Sequence, residues 1–357
     1  MKIRVLLLTL LGFLLSECNE KLNILAPYKE SVSVYGLINQ DDTIQYIRIQ
    51  RVFLGPGNAL SMAQSSDSVY FKPGQVKVSL QRFRNGSQLS VDTPYTSNME
   101  IVLTDTFITT QTGIFNPNQL LFKTNHRLIS NSTYKLIIHS YKTGNDFIAQ
   151  TGLLGDFWSS IPNADFLKPG NTINQFPTYP VPALAIGSTG LVKAFYESPV
   201  NSGVCGFTIR LFFTEYGTSG STPKFIDIPL GTQYTNTTAG GQLMDFSYLG
   251  DNVLHNIASL IAVNPNVTHR TADSIRYILS AGGYDVALYN QVNITSTLSQ
   301  DKPNYTNITG GVGIFSSRRS FNLVKGLDGS VPNRLDTSIV TCKLKFLDYG
   351  GNLGSCP

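Results

Sequence analysis

Hydrophobic and polar positions alternate along most of this chain with the period of two that strands impose. Over 75–83, Val76, Val78 and Leu80 share one face while Lys77, Ser79 and Gln81 share the other. Asn85-Gly86 follows, and both residue types tolerate the left-handed backbone of a two-residue hairpin, so 88–91 reads as the returning strand. Val32 and Val34 alternate with serines over 31–37, and Ile47 and Ile49 share one face of 44–52. Segments 99–107, 120–124, 133–140 and 147–151 continue the pattern. Between them lie turn-forming runs such as Asn39-Gln40-Asp41-Asp42, Gly55-Pro56-Gly57-Asn58 and Asn145-Asp146, and a longer polar loop over 58–74.

Short strands at this spacing predict a β-sandwich over 28–155, of the Ig-like or carboxypeptidase-regulatory-like kind. The alternation then dissolves over 156–182, where Pro162, Pro169, Pro177, Pro180 and Pro182 deny a ladder its donors and mark a linker. Trp158 stands at its start and reads as an aromatic plug between two modules, with a ligand platform as the other reading. Alternation resumes in a second β-rich domain, 183–357, with strands at 190–197, 205–216, 225–228, 243–248 and 257–263. One helix is expected at about 271–290, because Ile278, Leu279, Val286 and Tyr289 lie on the helical face of Ile275, with Thr271 as its cap and Asp273 in its first turn. The expected fold class is therefore mainly β, a sandwich followed by a β-rich domain carrying one C-terminal helix.

The head of the chain follows another pattern. Met1-Lys2-Ile3-Arg4 is basic, 5–15 is almost wholly apolar, and Ser16-Glu17-Cys18 closes the run. The layout over 1–18 is that of a secretory signal, and the apolar run is shorter than the roughly 20 residues a spanning helix takes. Leu15, Ser16 and Cys18 resemble a bacterial lipoprotein box, in which Cys18 is the lipidation site; Glu17 departs from the small residue usual there. The other reading is an ordinary cleaved signal with Cys18 as a passenger. Residues 19–27 then form a tether.

Composition supports a turn-rich β protein: 14% of residues are charged and 41% hydrophobic, with 31 Gly and 17 Pro. The net charge of +4 is scattered, and Arg318-Arg319 is only a pair, which excludes a nucleic-acid surface. Of the four cysteines, Cys205 lies in an apolar strand and reads as a buried free thiol, while Cys342 and Cys356 flank a Gly-Gly turn and are the candidate disulfide; spacing does not settle the connectivity. Asn-x-Ser/Thr triplets, as at Asn85 and Asn304, are glycan acceptors in a eukaryotic secreted protein and turn composition in a bacterium.

Catalytic motifs are missing. His126, His139, His255 and His269 have no His or Cys at ligand spacing, which argues against a metal, and no nucleophile elbow or calcium loop occurs. Asp41-Asp42 and Asp251 sit where turns favour Asp. No cofactor is expected. Gly310, Gly311 and Gly313 permit close backbone approach, either as a bulged turn that packs Ile314 and Phe315 or as a ligand loop; Ser316 stands where a dinucleotide fingerprint needs its third Gly.

The segment Asn307-Ile308-Thr309-Gly310-Gly311-Val312-Gly313-Ile314-Phe315, the opening Val34-Tyr35-Gly36-Leu37-Ile38-Asn39, Val76-Lys77-Val78-Ser79-Leu80, Tyr134-Lys135-Leu136 and Ile148-Ala149-Gln150-Thr151 together resemble a Bacteroidetes family of surface or periplasmic lipoproteins of unknown function. The resemblance implies a β-rich, lipid-anchored outer-membrane protein often encoded beside a TonB-dependent receptor, and it brings no catalytic residues. The expected function is a non-enzymatic cell-envelope lipoprotein that binds a ligand or receptor during uptake. The alternatives are a secreted glycan-active enzyme, which requires two facing carboxylates, and a eukaryotic secreted adhesion-type glycoprotein.

Overall fold

The computed structural model describes residues 30–52, 66–92, 97–109, 118–157, 191–192, 195–218, 220–246, 248–295, 305–327 and 329–357. The signal and tether, Cys18, Trp158 and the proline-rich stretch beyond it lie outside the described residues.

The fold is mainly β, as the alternation requires. The first half supplies β1 (Ser31–Ile38), β2 (Gln45–Val52), β3 (Val76–Arg84), β4 (Ser87–Leu89), β5 (Ile101–Val102), β6 (Thr104–Thr109), β7 (Asn118–Thr124), β8 (Thr133–Ser140) and β9 (Asp146–Gly152). The second supplies β10 (Leu191–Val192), β11 (Phe195–Glu197), β12 (Ser202–Gly217), β13 (Gly220–Tyr234), β14 (Leu243–Asp245), β15 (Tyr248–Leu249), β16 (Val267–Gly283) and β17 (Val312–Gly326). Four helices are described: α1 (Ser66–Val69), α2 (Gly250–Leu260), α3 (Tyr284–Thr295) and α4 (Ser330–Thr337).

One eight-stranded sheet, ordered β13-β12-β16-β17-β1-β2-β7-β6, runs through both halves. A smaller sheet, β4-β3-β8-β9 with β5 on β3, lies over its β1–β2–β7 end. Val32, Val34, Ile47 and Ile49 meet Val78, Leu80, Leu136 and Ile138 in the core between them. A second core lies against the other end: Phe207, Ile209, Leu211, Ile275, Tyr277 and Leu279 are covered by Val253, Leu254 and Ile257 of α2 and by Val331 and Leu335 of α4. Each such side chain, fully buried, contributes about 1.5–3 kcal/mol.

The line drawn between modules is crossed by β17, which pairs antiparallel with β16 and parallel with β1. Ile308 and Phe315 accordingly belong to the first core although they lie in the second half of the sequence. The glycines make this splice. A Cβ at Gly313, whose φ is +107°, would stand 2.0 Å from the Val34 carbonyl oxygen, and one at Gly311 would stand 2.7 Å from that of Val32.

Three expectations are corrected. The helix over 271–290 is strand β16 as far as Gly283, and α3 starts only at Tyr284. Thr271 does not cap it but donates to Asp273 Oδ1 at 2.9 Å. Ile275, Tyr277, Leu279 and Ala281 are buried with a period of two, and ladders on both flanks outweigh the local helical spacing. Of the strand expected over 257–263, residues 257–260 are instead the end of α2, which buries Val253, Leu254 and Ile257 on one face. The single C-terminal helix becomes four helices among the described residues.

Candidate functional site: a polar cleft at the splice

The register of the parallel pair sets Ile38 against Ser317, so the turn after β1 arrives beside the two arginines that follow in β17. Asn39 shapes that turn: its Oδ1 accepts from the Asp41 amide at 3.1 Å, and its Nδ2 donates to Asp42 Oδ1 at 2.9 Å. Buried Gln45 locks it, accepting from the Asn39 amide at 2.9 Å and donating to the Asn39 carbonyl at 2.8 Å.

Arg318 Nη2 then donates to Asp42 Oδ2 at 2.6 Å, and Arg319 Nε to Asp41 Oδ2 at 2.7 Å. Arg319 Nη1 reaches across to Asp156, just beyond β9, at 2.5 Å. Gln40, with its amide oxygen turned inward, accepts from the same nitrogen at 2.8 Å. Burial pulls the Arg319 guanidinium down, but the hydrogen bonds to Asp41 and Asp156 outweigh it and hold its pKa above the ordinary value.

Gln40, Asp41, Asp156 and Arg319 form one wall of a cleft of about 610 Å³. The other wall comes from the segment after β4, with Asp92, and from the β7–β8 connection, with His126, Arg127 and Leu128. His126 Nε2 lies 2.6 Å from Asp92 Oδ1, and its Nδ1 lies 3.1 Å from the Arg127 carbonyl, so both ring nitrogens face acceptors. The lining is mostly charged and polar, with Val91, Leu128 and Ile129 as its apolar part.

The residues singled out from the sequence lie elsewhere. Gly310, Gly311 and Gly313 carry the chain onto β1, and Phe315 is 0% exposed beneath it. Cys342 and Cys356 are joined by a disulfide near the C-terminus, with Cα atoms 5.3 Å apart. Cys205 is a buried free thiol. Among the described residues no group of three His, Cys, Asp or Glu side chains is arranged to hold a metal, and no helix is long and apolar enough to cross a membrane. Asp41, Arg319 and His126 were each visible in the sequence only as a turn residue, half of a dipeptide and an isolated histidine. Their convergence needs the β1–β17 register, for which the local sequence carries no signal.

No family model and no curated protein matches the chain. Among solved structures, the C-terminal globular domain of an oligosaccharyltransferase from Pyrococcus abyssi aligns with 85% of this chain and 52% of that one, at 8% identity and a TM-score of 0.22. This chain thus spans about half the length of that domain. A likeness so slight carries nothing over to the fold or chemistry of this protein.

Proposed function

We propose that the chain is a binding component of the cell envelope and not an enzyme: an outer-membrane lipoprotein anchored through Cys18 that holds a hydrophilic ligand in the Arg319 cleft and works beside a TonB-dependent receptor. The observation that carries the reading is the clamp of Arg319 on Asp41 and Asp156. It fixes two carboxylates in a polar cleft while each keeps lone pairs to accept from a hydroxyl-rich ligand. Turnover of a glycan calls for two carboxylates separated by the sugar and, in the inverting case, a water. Here the carboxylates of both walls are already held by basic side chains, Asp41 and Asp156 by Arg319 and Asp92 by His126. The anchor and the receptor rest on the apolar head before Cys18 and on the family resemblance.

The test is to extract the full chain from its native membranes with mild detergent. The expected result is co-elution with a TonB-dependent receptor, release of Cys18→Ala into the soluble fraction, and a bound small molecule seen by native mass spectrometry that is lost in Arg127→Ala. Elution of the wild-type chain alone and without added mass, or cleavage of oligosaccharides by the purified chain, would overturn the reading.

A further inference from the structure

Away from the cleft, the outer face of the large sheet carries a row of arginines and phenylalanines. Along β12 the odd-numbered residues from Cys205 to Glu215 are buried, so Arg210 and Phe212 point outward. The register sets Asp227 and Phe225 of β13 against them, and Arg276 of β16 on the other side of Arg210. Arg210 donates to both Asp227 oxygens, at 2.6 and 2.8 Å, and its guanidinium lies over the Phe225 ring, 4.2 Å from the centroid. The Phe225 and Phe212 centroids are 6.1 Å apart, and the Arg276 guanidinium lies over Phe212 at 5.0 Å.

The two arginines are not equivalent. Asp227 neutralises Arg210, whereas no carboxylate pairs with Arg276 among the described residues, and its Nε is shut off from solvent without any hydrogen-bond partner. The charge of Arg276 is thus left without a counter-ion, and the outer end of its guanidinium is what a carboxylate from outside would meet. Beside it the sheet leaves large apolar side chains in the open: Phe225 is 54% exposed, as is Val324, which faces Arg276 in the β16–β17 register.

We propose that this face binds an acidic glycan, a chain of uronate sugars, whose rings lay their C–H faces on Phe225 and Val324 while a carboxylate takes the donors of Arg276. A planar guanidinium already oriented on a ring matches a carboxylate with two parallel hydrogen bonds. The occupant is a sugar chain and not a peptide added as a further strand, because β13, at the edge of the sheet, carries Pro223 and Pro229. An added peptide strand needs a row of edge donors, and proline supplies none. The site is independent of the Arg319 cleft.

The test is native electrophoresis of the full chain through gels containing alginate, unmodified dextran or poly-glutamate. Alginate should retard the wild-type chain and dextran should not. Arg276→Gln and Phe225→Ala, both outward-facing changes, should each weaken the alginate interaction by about tenfold or more, the loss of one good contact. Lys343→Gln removes the same charge from an exposed site elsewhere and should change nothing. The proposal is overturned if alginate causes no retardation, if Arg276→Gln and Lys343→Gln weaken it equally, or if poly-glutamate retards the chain as strongly as alginate.

Discussion

Arg270 Nε and Nη2 both donate to one oxygen of Glu215, at 2.9 and 2.6 Å, and Arg270 is only 1% exposed. The same guanidinium holds the carbonyls of Leu344 and Ala262, and the Arg270 main chain pairs with Lys345 and Leu347. The pair thus fastens the C-terminal segment to the part of β16 that β17 does not cover. Removing one partner of a buried pair strands the other charge, at about 3–5 kcal/mol. Glu215→Ala should lower unfolding stability by that amount in urea denaturation. A loss below 1 kcal/mol would mean the pair is solvated.

The same pair sets an acid limit. Burial pushes the Glu215 carboxyl up, but hydrogen bonds from Lys224 and Arg270 outweigh it and leave it below its ordinary value of 4.5. A carboxylate depressed in the folded state stabilises fully above the unfolded value and loses that contribution as pH falls through the folded one. Stability should therefore decline below about pH 4.5, and the decline should be shallower in Glu215→Gln when both are followed by thermal melts across pH.

Cys342 and Cys356 close a loop across 14 positions. Restricting a loop of that length in the unfolded chain is worth about 3 kcal/mol. Reduction, or Cys356→Ser, should lower the melting temperature, whereas the buried free thiol of Cys205 should play no part in the change.

That free cysteine should be silent in the folded protein. Burial raises the Cys205 thiol from 9.0 to about 11, against the lowering effect of hydrogen bonds with Tyr196 and Ser202. The thiolate is the form that attacks an alkylating reagent, so labelling at pH 8 should wait for denaturant. Because the folded thiol keeps its proton longer than the unfolded one, stability should fall as pH climbs from 9.0 towards 11.

Gly313→Ala should be far costlier than Gly351→Ala. Both backbones have positive φ, +107° and +82°, but a methyl at Gly313 collides with the Val34 carbonyl while one at Gly351 meets nothing within 4 Å. The expected cost at Gly351 is about 1–2 kcal/mol. At Gly313 the splice between β1 and β17 should fail, seen as loss of a cooperative melt.

Local patterns were legible where local chemistry decides. Asn85-Gly86 has φ of 50° and 79°, as its hairpin requires, and the strand over Thr133–Ser140 alternates throughout. Over 271–283 the apolar spacing served helix and strand alike, and only flanking ladders separated them. The cleft was hidden more deeply. Asp41 reads as a turn residue, and Arg319 lies 278 positions away. Nothing near either one announces a partner whose place is set by a parallel register.

The parallel splice also orders events in time. Ser31 and its neighbour Gly310 are 279 residues apart, so β1 waits for nearly the whole polypeptide before its second edge is closed. Such distant pairing is slow to form and leaves a strand edge open to wrong partners meanwhile. The first core, which includes Ile308 and Phe315, can therefore not be completed during synthesis until β17 has emerged. An excised fragment ending near residue 155 would be born with the β17 side of β1 as a raw edge.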